Sequence, residues 1–345
     1  IGDALKYFID TKKKRLLTPS FAKKYNRIKE INIAACGTSY HASLIGKYWL
    51  ENYANIKTEV DIASEFRYRK IINNKNTLNV FLSQSGETAD TLAVLRYFNQ
   101  KKNKTLGIIN SAESSLARES NNVIQTYAGP EIGVASTKAF TTQLVALGAL
   151  TLFMANFNKS IARNEINKLS NALLEAPGHI SKVLKMDNNF QKIAASIKKA
   201  KNVLYIGRGT SYPVALEGAL KLKEISYIHA EGYPAGEIKH GPIALVEKGV
   251  PVIVIAPSDH LIDKTISNVE EVLSRGAKII FISDKKGIKK INNKKITTIC
   301  LPESHEIISP ILYSIPVQLI AYHTAVLKGT DVDQPRNLAK SVTVE

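Results

Sequence analysis

Residues 80–91, Val-Phe-Leu-Ser-Gln-Ser-Gly-Glu-Thr-Ala-Asp-Thr, join a buried-strand pattern to the start of a helix through hydroxyls and a glycine. The apolar run that ends at Leu82 is typical of a short strand, and the spacing from Thr91 onward predicts a helix. Residues 83–88 therefore lie on the turn between the two elements. A strand, a turn and a helix in this order form the basic unit of an α/β fold.

The same turn has the chemistry of a phosphate site. A helix N-terminus offers unpaired N–H groups and about half a positive charge, and Gly86 lets the backbone come close to an anion. The side-chain donors of the turn are Ser83, Gln84, Ser85 and Thr88. Because no Lys or Arg lies among them, neutral dipoles would hold the phosphate, which favours a phosphorylated metabolite over a nucleoside triphosphate. A serine-rich helix cap is the alternative, and the turn alone leaves it open.

Strand and helix patterns alternate along the chain on both sides of this turn. Residues 1–30 are Lys-rich and predict helix with a break at 18–20. A strand at 32–36, a Gly-Thr-Ser-Tyr turn at 37–40 and a helix at 41–53 follow. Further strands are predicted at 58–62, 78–82, 105–109 and 123–126, with helices between most of them. This alternation predicts a parallel sheet covered on both faces.

The pattern then repeats along the chain. Gly-Thr-Ser-Tyr at 37–40 recurs at 209–212, an offset of 172 (209 minus 37). The same offset relates the strand at Val80 to the one at Val252, and the strand at Thr105 to residue 277. Three anchors in the same order indicate a tandem duplication. We therefore predict two tandem doubly wound, flavodoxin-like α/β domains with parallel sheets and a C-terminal tail.

The predicted organisation has five parts. An N-terminal helical segment covers 1–30, the first domain covers 31–160, and the second covers 189–330. A helical connection, broken at Pro177-Gly178, covers 161–188, and the tail covers 331–345. The two loops after the central strands differ, because the second repeat has Ala-Pro-Ser-Asp-His at 256–260. Pro257 removes an N–H donor and Asp259 would repel a phosphate, so only the first repeat is expected to bind the anion.

Composition excludes several classes of function. The chain has 345 residues, 44% of them hydrophobic, and a formal charge of +17, with many lysines in Asn/Lys-rich stretches that indicate solvated surface. The basic run at 12–15 has no interleaved aromatics and no binding module around it, so nucleic-acid binding is not expected. Cys36 and Cys300 lie in apolar runs and are expected to be reduced core thiols of a cytosolic protein.

No membrane span is expected. The longest apolar segment, 144–157, is shorter than the roughly 20 residues that a bilayer requires and indicates a buried helix. The sequence has no signal peptide pattern, and it opens at Ile1 without Met, so we expect a piece of a longer protein.

Groups suited to proton chemistry occur in the second repeat. Glu217, Lys221 and Glu224 share one face of the helix after Gly209, where a surface ion-pair stripe is the alternative to a catalytic carboxylate beside a lysine. His240, between glycines and a proline, is expected to be held on a defined turn, although an ordinary loop histidine has the same pattern. The tail residue Lys340 would be a nucleophile only if it were desolvated against a substrate. In isolation it would be frayed and solvated, as would Arg336.

One loop of the first domain and the absence of a metal motif complete the candidates. Residues 129–138 are predicted to form a loop that ends in a helix cap at Ser136 or Thr137. The seven histidines show neither metalloprotease spacing nor a Cys/His cluster, so no catalytic metal and no cofactor are expected.

Together these stretches resemble one known family. The paired Gly-Thr-Ser-Tyr turns, the loop at 83–88, Glu-Ile-Gly-Val-Ala-Ser-Thr-Lys-Ala-Phe at 131–140, Lys-His-Gly-Pro at 239–242 and Gln-Pro-Arg-Asn-Leu-Ala-Lys-Ser-Val-Thr-Val-Glu at 334–345 carry the resemblance. They are similar to the isomerase halves of the glucosamine-6-phosphate synthase family, the glutamine:fructose-6-phosphate aminotransferases, which contain tandem sugar isomerase (SIS) domains. The resemblance covers nearly all of the chain after residue 31, and its tail motif is the most specific part.

The resemblance implies a role for each matching residue. It implies that Ser83, Gln84, Ser85 and Thr88 hold the phosphate of fructose 6-phosphate, and that Ser39, Val134 and Ala339 line the sugar. Lys340 would form an imine with the C2 ketone, His240 would assist ring opening, Glu224 would move the proton between C1 and C2, and Lys221 would support it. The family also implies an obligate homodimer, in which His240 reaches the neighbouring subunit's site.

The resemblance further implies a cytoplasmic enzyme of amino-sugar synthesis. Its complete members begin with a glutaminase domain whose N-terminal nucleophile is a cysteine, and neither Cys36 nor Cys300 can be that residue. The chain is thus expected to isomerise fructose 6-phosphate, while the intact protein makes glucosamine 6-phosphate. Two alternatives stay open: a noncatalytic sugar-phosphate sensor, and an isomerase or deaminase for another phosphorylated sugar.

Overall fold

The computed structural model describes residues 1–25, 27–72, 74, 76–291 and 293–344. The chain divides into two compact units, and each unit includes a short segment that is distant in sequence from the rest of it. The first unit consists of the described residues within Ile1–Ile132, Ser136–Glu175 and Ala339–Glu345, and the second consists of Gly133–Ala135 and Ala176–Leu338. The sequence did not predict that these short segments belong to the other unit. The predicted domain boundaries stay a prediction. Glu345, which the tail motif includes, lies outside the described residues.

The N-terminal segment is less helical than predicted. Helix α1 covers only Gly2–Phe8, and a hairpin of β1 (Ile9–Asp10) and β2 (Arg15–Leu16) follows before a 3₁₀ turn at Ser20–Tyr25. The hairpin forms because Asp10 Oδ1 accepts the N–H groups of Lys12 and Lys13, at 3.0 and 2.9 Å. Such an aspartate turn competes with a helix for the same backbone groups, so the prediction of helix was wrong here.

The first unit contains the predicted parallel sheet. Its strands are β3 (Glu30–Ala35), β4 (Lys57–Ile62), β5 (Thr77–Ser83), β6 (Lys104–Ile109) and β7 (Asn122–Gln125), in the order β4-β3-β5-β6-β7. All adjacent pairs are parallel. The helices are α2 (Gly37–Ala54), α3 (Ala63–Phe66), α4 (Ala89–Gln100), α5 (Ser115–Glu119) and α6 (Lys138–Asn158). Every residue of β5 is buried, as expected for a central strand covered on both faces.

The second unit repeats this topology. Its strands are β8 (Asn202–Gly207), β9 (His229–Pro234), β10 (Pro251–Ile255), β11 (Lys278–Asp284) and β12 (Thr297–Leu301), in the order β12-β11-β10-β8-β9. All adjacent pairs are again parallel. The helices are α9 (Ser211–Ser226), α10 (Ile262–Ser274), α11 (Lys285–Ile291) and α12 (Ser309–Lys328). The predicted duplication and the doubly wound α/β fold are thus confirmed.

The Gly-Thr-Ser-Tyr turns show the repeat at single residues. Gly37 and Gly209 both have left-handed backbone, with φ +52° and +54°. The first of these turns was predicted to end before the helix, but α2 already begins at Gly37. In the second repeat the turn is retained and α9 begins two residues later, at Ser211.

The connection between the repeats is helical without the predicted break. Helix α7 covers Arg163–Leu184 with Pro177 inside it, and α8 covers Asp187–Ile197. A proline removes a single N–H donor from the ladder, and the helix continues because the other bonds remain. The C=O of Pro177 accepts a hydrogen bond from Ser181 Oγ at 2.9 Å.

Two helices have the length and apolar composition of a membrane span, α6 with 21 residues and α12 with 20. The predicted buried segment at 144–157 belongs to α6, so the helix is longer than expected. Its apolar window is 89% buried inside the protein, and that of α12 is 72% buried. Such burial is typical of core helices. The length and composition of α6 and α12 are therefore only weak evidence for a membrane span.

The two cysteines are free, as predicted, but they are not both core thiols. Cys36 is half-buried and Cys300 is exposed. Cys300 lies on β12, the edge strand of the second sheet, where alternate residues face outward. An apolar run in an edge strand was therefore mistaken for a fully buried one.

Candidate active site

The predicted phosphate loop, residues 83–88, lies where β5 ends and α4 begins, and its own side chains shape it. Ser83 Oγ accepts the N–H of Gly86 at 2.9 Å and lies 3.5 Å from Thr88 Oγ1. Ser85 Oγ accepts the N–H of Glu87 at 3.2 Å. Gly86 has φ +69°, and a Cβ there would lie 2.0 Å from Ser114 Oγ. The loop consequently requires glycine at this position, both for its backbone conformation and for space.

Other groups already bind the acidic side chains next to the loop. Glu87 Oε1 accepts the N–H of Ser115 at 2.7 Å, and Asp90 Oδ1 pairs with Arg67 at 2.9 Å. Thr88 is the N-cap residue of α4 but makes no side-chain cap hydrogen bond. The alternative of a simple helix cap therefore does not describe the side chain of Thr88.

The C-terminal tail lies over this loop within the first unit. Ser341 Oγ is 3.0 Å from Ser85 Oγ, and the C=O of Val342 accepts the N–H of Ala89 at 3.1 Å. Ala89 is the first residue of α4, so the tail binds one of the helix N-terminal donors. The tail is thus bound to the first unit at Ser341 and Val342. Ala339, just before them, is exposed.

Lys340 is held by a buried carboxylate. Its Nζ donates to Glu131 Oε2 at 2.8 Å, and the two side chains are 26% and 4% exposed. Glu131 also accepts hydrogen bonds from Ser136 Oγ and from the N–H groups of Thr137 and Ala139. The helix cap predicted at Ser136 or Thr137 is therefore supplied by Glu131, while Thr137 occupies the N-cap position and its side chain makes no capping hydrogen bond.

Electrostatics keep Glu131 ionised. Burial by itself would raise the pKa of its carboxyl, but the hydrogen bonds from Lys340, Thr137 and Ala139 outweigh burial, and the pKa is lowered. A carboxylate that accepts several donors is stabilised in its charged form.

Ser39 lies on the first turn of α2 and is buried. Gln143 on α6 donates from Nε2 to Ser39 Oγ at 2.9 Å. Gln143 Oε1 is buried and accepts no hydrogen bond from the described part of the chain. Since Ser39 Oγ accepts from Gln143, its own O–H remains the donor that a ligand could use.

In the second unit, helix α9 carries a buried ion cluster. Lys221 Nζ lies 2.6 Å from Glu224 Oε2 and 3.4 Å from Glu217 Oε1. The side chains of Lys221 and Glu217 are 2% and 0% exposed, whereas that of Glu224 is 20% exposed. The alternative of a surface ion-pair stripe is thus wrong, because two of the three groups are inside the protein.

The cluster keeps Lys221 positively charged. Burial would lower the pKa of its ammonium, but the charges of Glu217 and Glu224 outweigh burial and raise it. Glu224 is the carboxylate of this cluster with access to solvent, so it is the one that can exchange a proton with another molecule.

His240 follows a 3₁₀ turn at Glu237–Lys239, and its N–H donates to the C=O of Glu237 at 2.9 Å. Gly241 after it has φ +128°, a conformation that favours glycine. The histidine therefore sits on a defined turn, as predicted, and its side chain is exposed.

In the second unit, the loop that corresponds to residues 83–88 is bound by a carboxylate of the chain itself, that of Asp284. Asp284 Oδ2 accepts the N–H and Oγ–H of Ser258, at 3.0 and 2.6 Å, and Oδ1 accepts the N–H groups of Lys286 and Gly287. Burial would raise the pKa of Asp284, but these hydrogen bonds lower it. The donors of this loop thus bind a carboxylate of the chain itself.

The predicted site residues fall into two groups. The first unit holds Ser39, Ser83, Gln84, Ser85, Thr88, Ala339 and Lys340. The second unit holds Val134, Lys221, Glu224 and His240. The N–H of Val134 donates to the C=O of Asp333 at 2.8 Å, which ties the short segment 133–135 to the start of the tail within that unit.

Sequence reasoning missed the partners of these residues. Glu131 and Ser136 were inside a quoted motif, but a carboxylate six residues before the N-cap does not follow any capping pattern. Gln143 lies in an apolar helix, where its polar side chain was the available signal. Among the described residues, no group of three or more His, Cys, Asp or Glu side chains could hold a metal ion.

Comparison with known proteins identifies the repeats. The SIS domain model matches residues 24–153 and 196–328. A glutamine–fructose-6-phosphate aminotransferase (isomerizing) of Brucella abortus is 52% identical over all 345 residues, which cover 57% of that protein. The corresponding protein of Bartonella henselae is 55% identical over 321 residues, 93% of this chain and 53% of that protein. The chain thus spans a little over half the length of these curated relatives.

Solved structures agree with this similarity. The C-terminal domain of glucosamine-fructose-6-phosphate aminotransferase from Francisella tularensis superposes with a TM-score of 0.93 at 44% identity, covering 97% of this chain and 94% of that one. A glucosamine-6-phosphate deaminase from Thermotoga maritima superposes with a TM-score of 0.73 at 25% identity, covering 99% and 96% of the two chains.

Proposed function

The chain belongs to the SIS domain family, beside the C-terminal domain of glucosamine-fructose-6-phosphate aminotransferase, and we propose that it is the sugar-isomerising part of such an enzyme. In this proposal it binds fructose 6-phosphate and, with ammonia, converts it to glucosamine 6-phosphate. We further propose that a glutaminase domain of the intact protein supplies the ammonia, and the 57% of the relative's length that this chain covers is consistent with such a domain.

One observation carries the proposal: the predicted phosphate loop, which contains no Lys or Arg, and the amine of Lys340 lie in one unit. Ser341 is 3.0 Å from Ser85, and its neighbour Lys340 is fixed by Glu131. A sugar whose phosphate binds Ser83, Gln84, Ser85 and Thr88 would therefore present its carbon chain near the tail. Neutral donors suit a phosphate that must be positioned without forming a permanent ion pair.

The chemistry then assigns a role to each remaining group. His240 acts as the acid for ring opening, and Lys340 forms an imine at C2, which acidifies the hydrogens at C1. Glu224 moves a proton between C1 and C2, and the Lys221 ammonium beside it stabilises the negative charge that develops. Ser39, Val134 and Ala339 line the sugar. Ammonia replaces the lysine and leaves the amino sugar.

The exposed side chain of His240 supports a role across a subunit interface. We propose a homodimer in which His240 of one protomer completes the site of its partner. A cytoplasmic location follows from the substrate, a phosphorylated sugar of central metabolism. The greater identity to the aminotransferase domain, 44% against 25% for the deaminase, favours amino-sugar synthesis over the deaminase alternative.

The proposal is tested by binding and turnover of the purified chain. We expect fructose 6-phosphate to bind far more tightly than fructose, and the double variant Ser85→Ala/Thr88→Val to lose about 10²–10⁴-fold in affinity, since it removes two hydrogen bonds to a charged group that contribute about 1.5–3 kcal/mol each. Glu224→Gln should bind the sugar normally and lose isomerisation to glucose 6-phosphate. Isothermal titration and a coupled assay measure the two properties.

A matched control is Ser258→Ala, in the loop of the second unit that Asp284 fills. It should leave the affinity for fructose 6-phosphate unchanged. The sensor alternative is supported instead if the wild-type chain binds the sugar but never interconverts hexose 6-phosphates or incorporates ammonia. Binding without phosphate dependence would contradict the loop assignment.

A further inference from the structure

The contact between Lys340 and Glu131 bears on how the proposed imine forms. An amine attacks a carbonyl only as the neutral base, yet Lys340 Nζ lies 2.8 Å from a carboxylate that favours the ammonium form. The pair is 26% and 4% exposed, so water has little access to the acid. A group that takes the lysine proton must therefore be found close to Nζ.

Glu131 is placed to be that group because the fold holds it rigidly. Its Oε1 accepts the N–H groups of Thr137 and Ala139 at 2.8 and 3.1 Å, and its Oε2 accepts from Ser136 Oγ at 3.1 Å and from Lys340. The first two donors belong to the N-terminus of α6, a helix of 21 residues. One oxygen is thus anchored to the backbone, while the other faces the amine.

We propose that Glu131 is the catalytic acid and base for Lys340, accepting its proton before imine formation and returning it as water leaves. The inference rests on the proposed function, since it assumes that Lys340 reacts with the C2 ketone. It gives Glu131 a chemical role, which the proposed function did not. The two carboxylates then have different roles: Glu131 exchanges a proton with Lys340, and Glu224 exchanges a proton with the sugar carbons.

The step balances in protons and atoms. The Lys340 ammonium gives a proton to the Glu131 carboxylate, and the neutral amine adds to the C2 carbonyl to form a carbinolamine. The protonated Glu131 then gives its proton to the C2 hydroxyl, which leaves as water while the nitrogen lone pair forms the C=N bond. The products are the protonated imine, one water and the restored carboxylate.

Glu224 is a poorer candidate for this role. It already pairs with Lys221 at 2.6 Å in the second unit, and its carboxylate is used by the proton transfer between C1 and C2 in the proposed mechanism. Glu131 lies in the same unit as Lys340 and touches its Nζ directly. A charged group at hydrogen-bond distance is the geometric requirement for a general base.

The experiment measures imine formation directly. The full chain is mixed with fructose 6-phosphate, borohydride is added at timed intervals, and mass spectrometry quantifies the reduced adduct on the peptide that contains Lys340. We expect Glu131→Gln to slow adduct formation by about 10²–10⁴-fold, the usual contribution of a general acid or base. Lys340→Arg gives the background, because it cannot form the imine.

The variants are chosen to separate catalysis from structure. Gln retains an oxygen that can accept the N–H groups at the start of α6, so Glu131→Gln should fold, and its thermal midpoint is measured. In Glu131→Ala, added formate should restore part of the adduct rate. Glu119→Gln, at an exposed surface pair with Arg96, is the control that should form adduct at the wild-type rate.

The pH dependence gives a second readout. In the wild type the proton moves within the pair, so the adduct rate should be independent of pH over the neutral range. In Glu131→Gln the proton must leave to solvent, so the rate should rise about tenfold per pH unit. A purely structural role would lower the rate equally at every pH and would not respond to formate.

The outcomes distinguish this inference from the function on which it rests. If the wild type forms the adduct and folded Glu131→Gln forms it equally fast, Glu131 is not the base and the inference is overturned. If the wild type binds fructose 6-phosphate but forms no adduct on Lys340, both the inference and the proposed mechanism are wrong. A slow, formate-rescued variant supports both.

Discussion

At the scale of one residue, both the backbone conformation and the space around it require glycine at position 86 in the predicted phosphate loop. Its φ is +69°, and a Cβ would lie 2.0 Å from Ser114 Oγ and 3.1 Å from Ile109. Gly86→Ala should destabilise the first unit by more than the roughly 1–2 kcal/mol that left-handed backbone costs a residue with a Cβ. It should also weaken fructose 6-phosphate binding, because the loop must shift. Chemical denaturation and titration measure the two effects.

Gly129 provides the matched control for this prediction. Its φ is +67°, but nothing lies within 4 Å of a Cβ at that position. Gly129→Ala should therefore show the backbone strain without the steric clash. Equal destabilisation by the two substitutions would mean that the contact with Ser114 contributes nothing.

Lys221 gives a second prediction at this scale. Lys221→Met removes the ammonium from a site where Glu217 is fully buried, and breaking a buried pair in this way costs about 3–5 kcal/mol. Lys223→Met, at an exposed position of the same helix, should stay within about 0.5 kcal/mol of the wild type. Urea denaturation compares the two variants. Similar stabilities would show that the buried charge is dispensable.

The sequence suggested candidate donors for the site but not the residues that contact them. Ser83, Ser85 and Thr88 could be singled out because the loop between a strand and a helix is a local pattern. The contact of Lys340 with Glu131 joins residues 209 positions apart, and that of Gln143 with Ser39 joins residues 104 apart. No local rule gives such contacts, since they depend on how the helices and the tail pack.

At the scale of elements, strands were predicted well and the N-terminal segment was not. The parallel strands contain short apolar runs, such as residues 80–82 within the fully buried β5, and a sequence pattern of this kind can be recognised locally. Residues 9–16 form a hairpin instead of a helix because the side chain of Asp10 bonds two backbone N–H groups. In the edge strand β12, alternate residues face solvent, so Cys300 is exposed although Ile299 and Leu301 on either side of it are buried.

Asp284 gives a pH prediction at this scale, because it ties the loop after β10 to the start of α11. Its pKa is lowered from the ordinary value of 3.8, so its hydrogen bonds contribute full stability above about pH 4. That contribution is lost as the pH falls through the lowered pKa. Asp284→Asn cannot accept the Ser258 bonds at the former Oδ2 position and should be less stable at neutral pH.

The difference between wild type and Asp284→Asn should therefore shrink as the pH falls from about 6 to about 2, since protonation removes the same bonds from the wild type. Denaturant unfolding at several pH values measures it. A difference that stays constant over this range would show that the Asp284 charge does not stabilise the second unit.

At the scale of the whole molecule, duplication has produced two units whose corresponding loops differ. Both have the same strand order, but the loop of the first offers neutral donors and that of the second binds its own carboxylate. The tail returns from the second unit to the first and brings Lys340 with it. The formal charge of +17 is a property of the whole chain, and it did not predict the difference between the two loops or the position of the tail.

In the proposed function, this chain moves the carbonyl of fructose 6-phosphate by taking a proton from C1. Proton NMR of fructose 6-phosphate with the purified chain in D₂O follows that proton. We predict loss of a C1 proton signal and the appearance of glucose 6-phosphate deuterated at C2, with neither change in Glu224→Gln. If bound fructose 6-phosphate retains both C1 protons in the wild type, the proposed reaction is wrong.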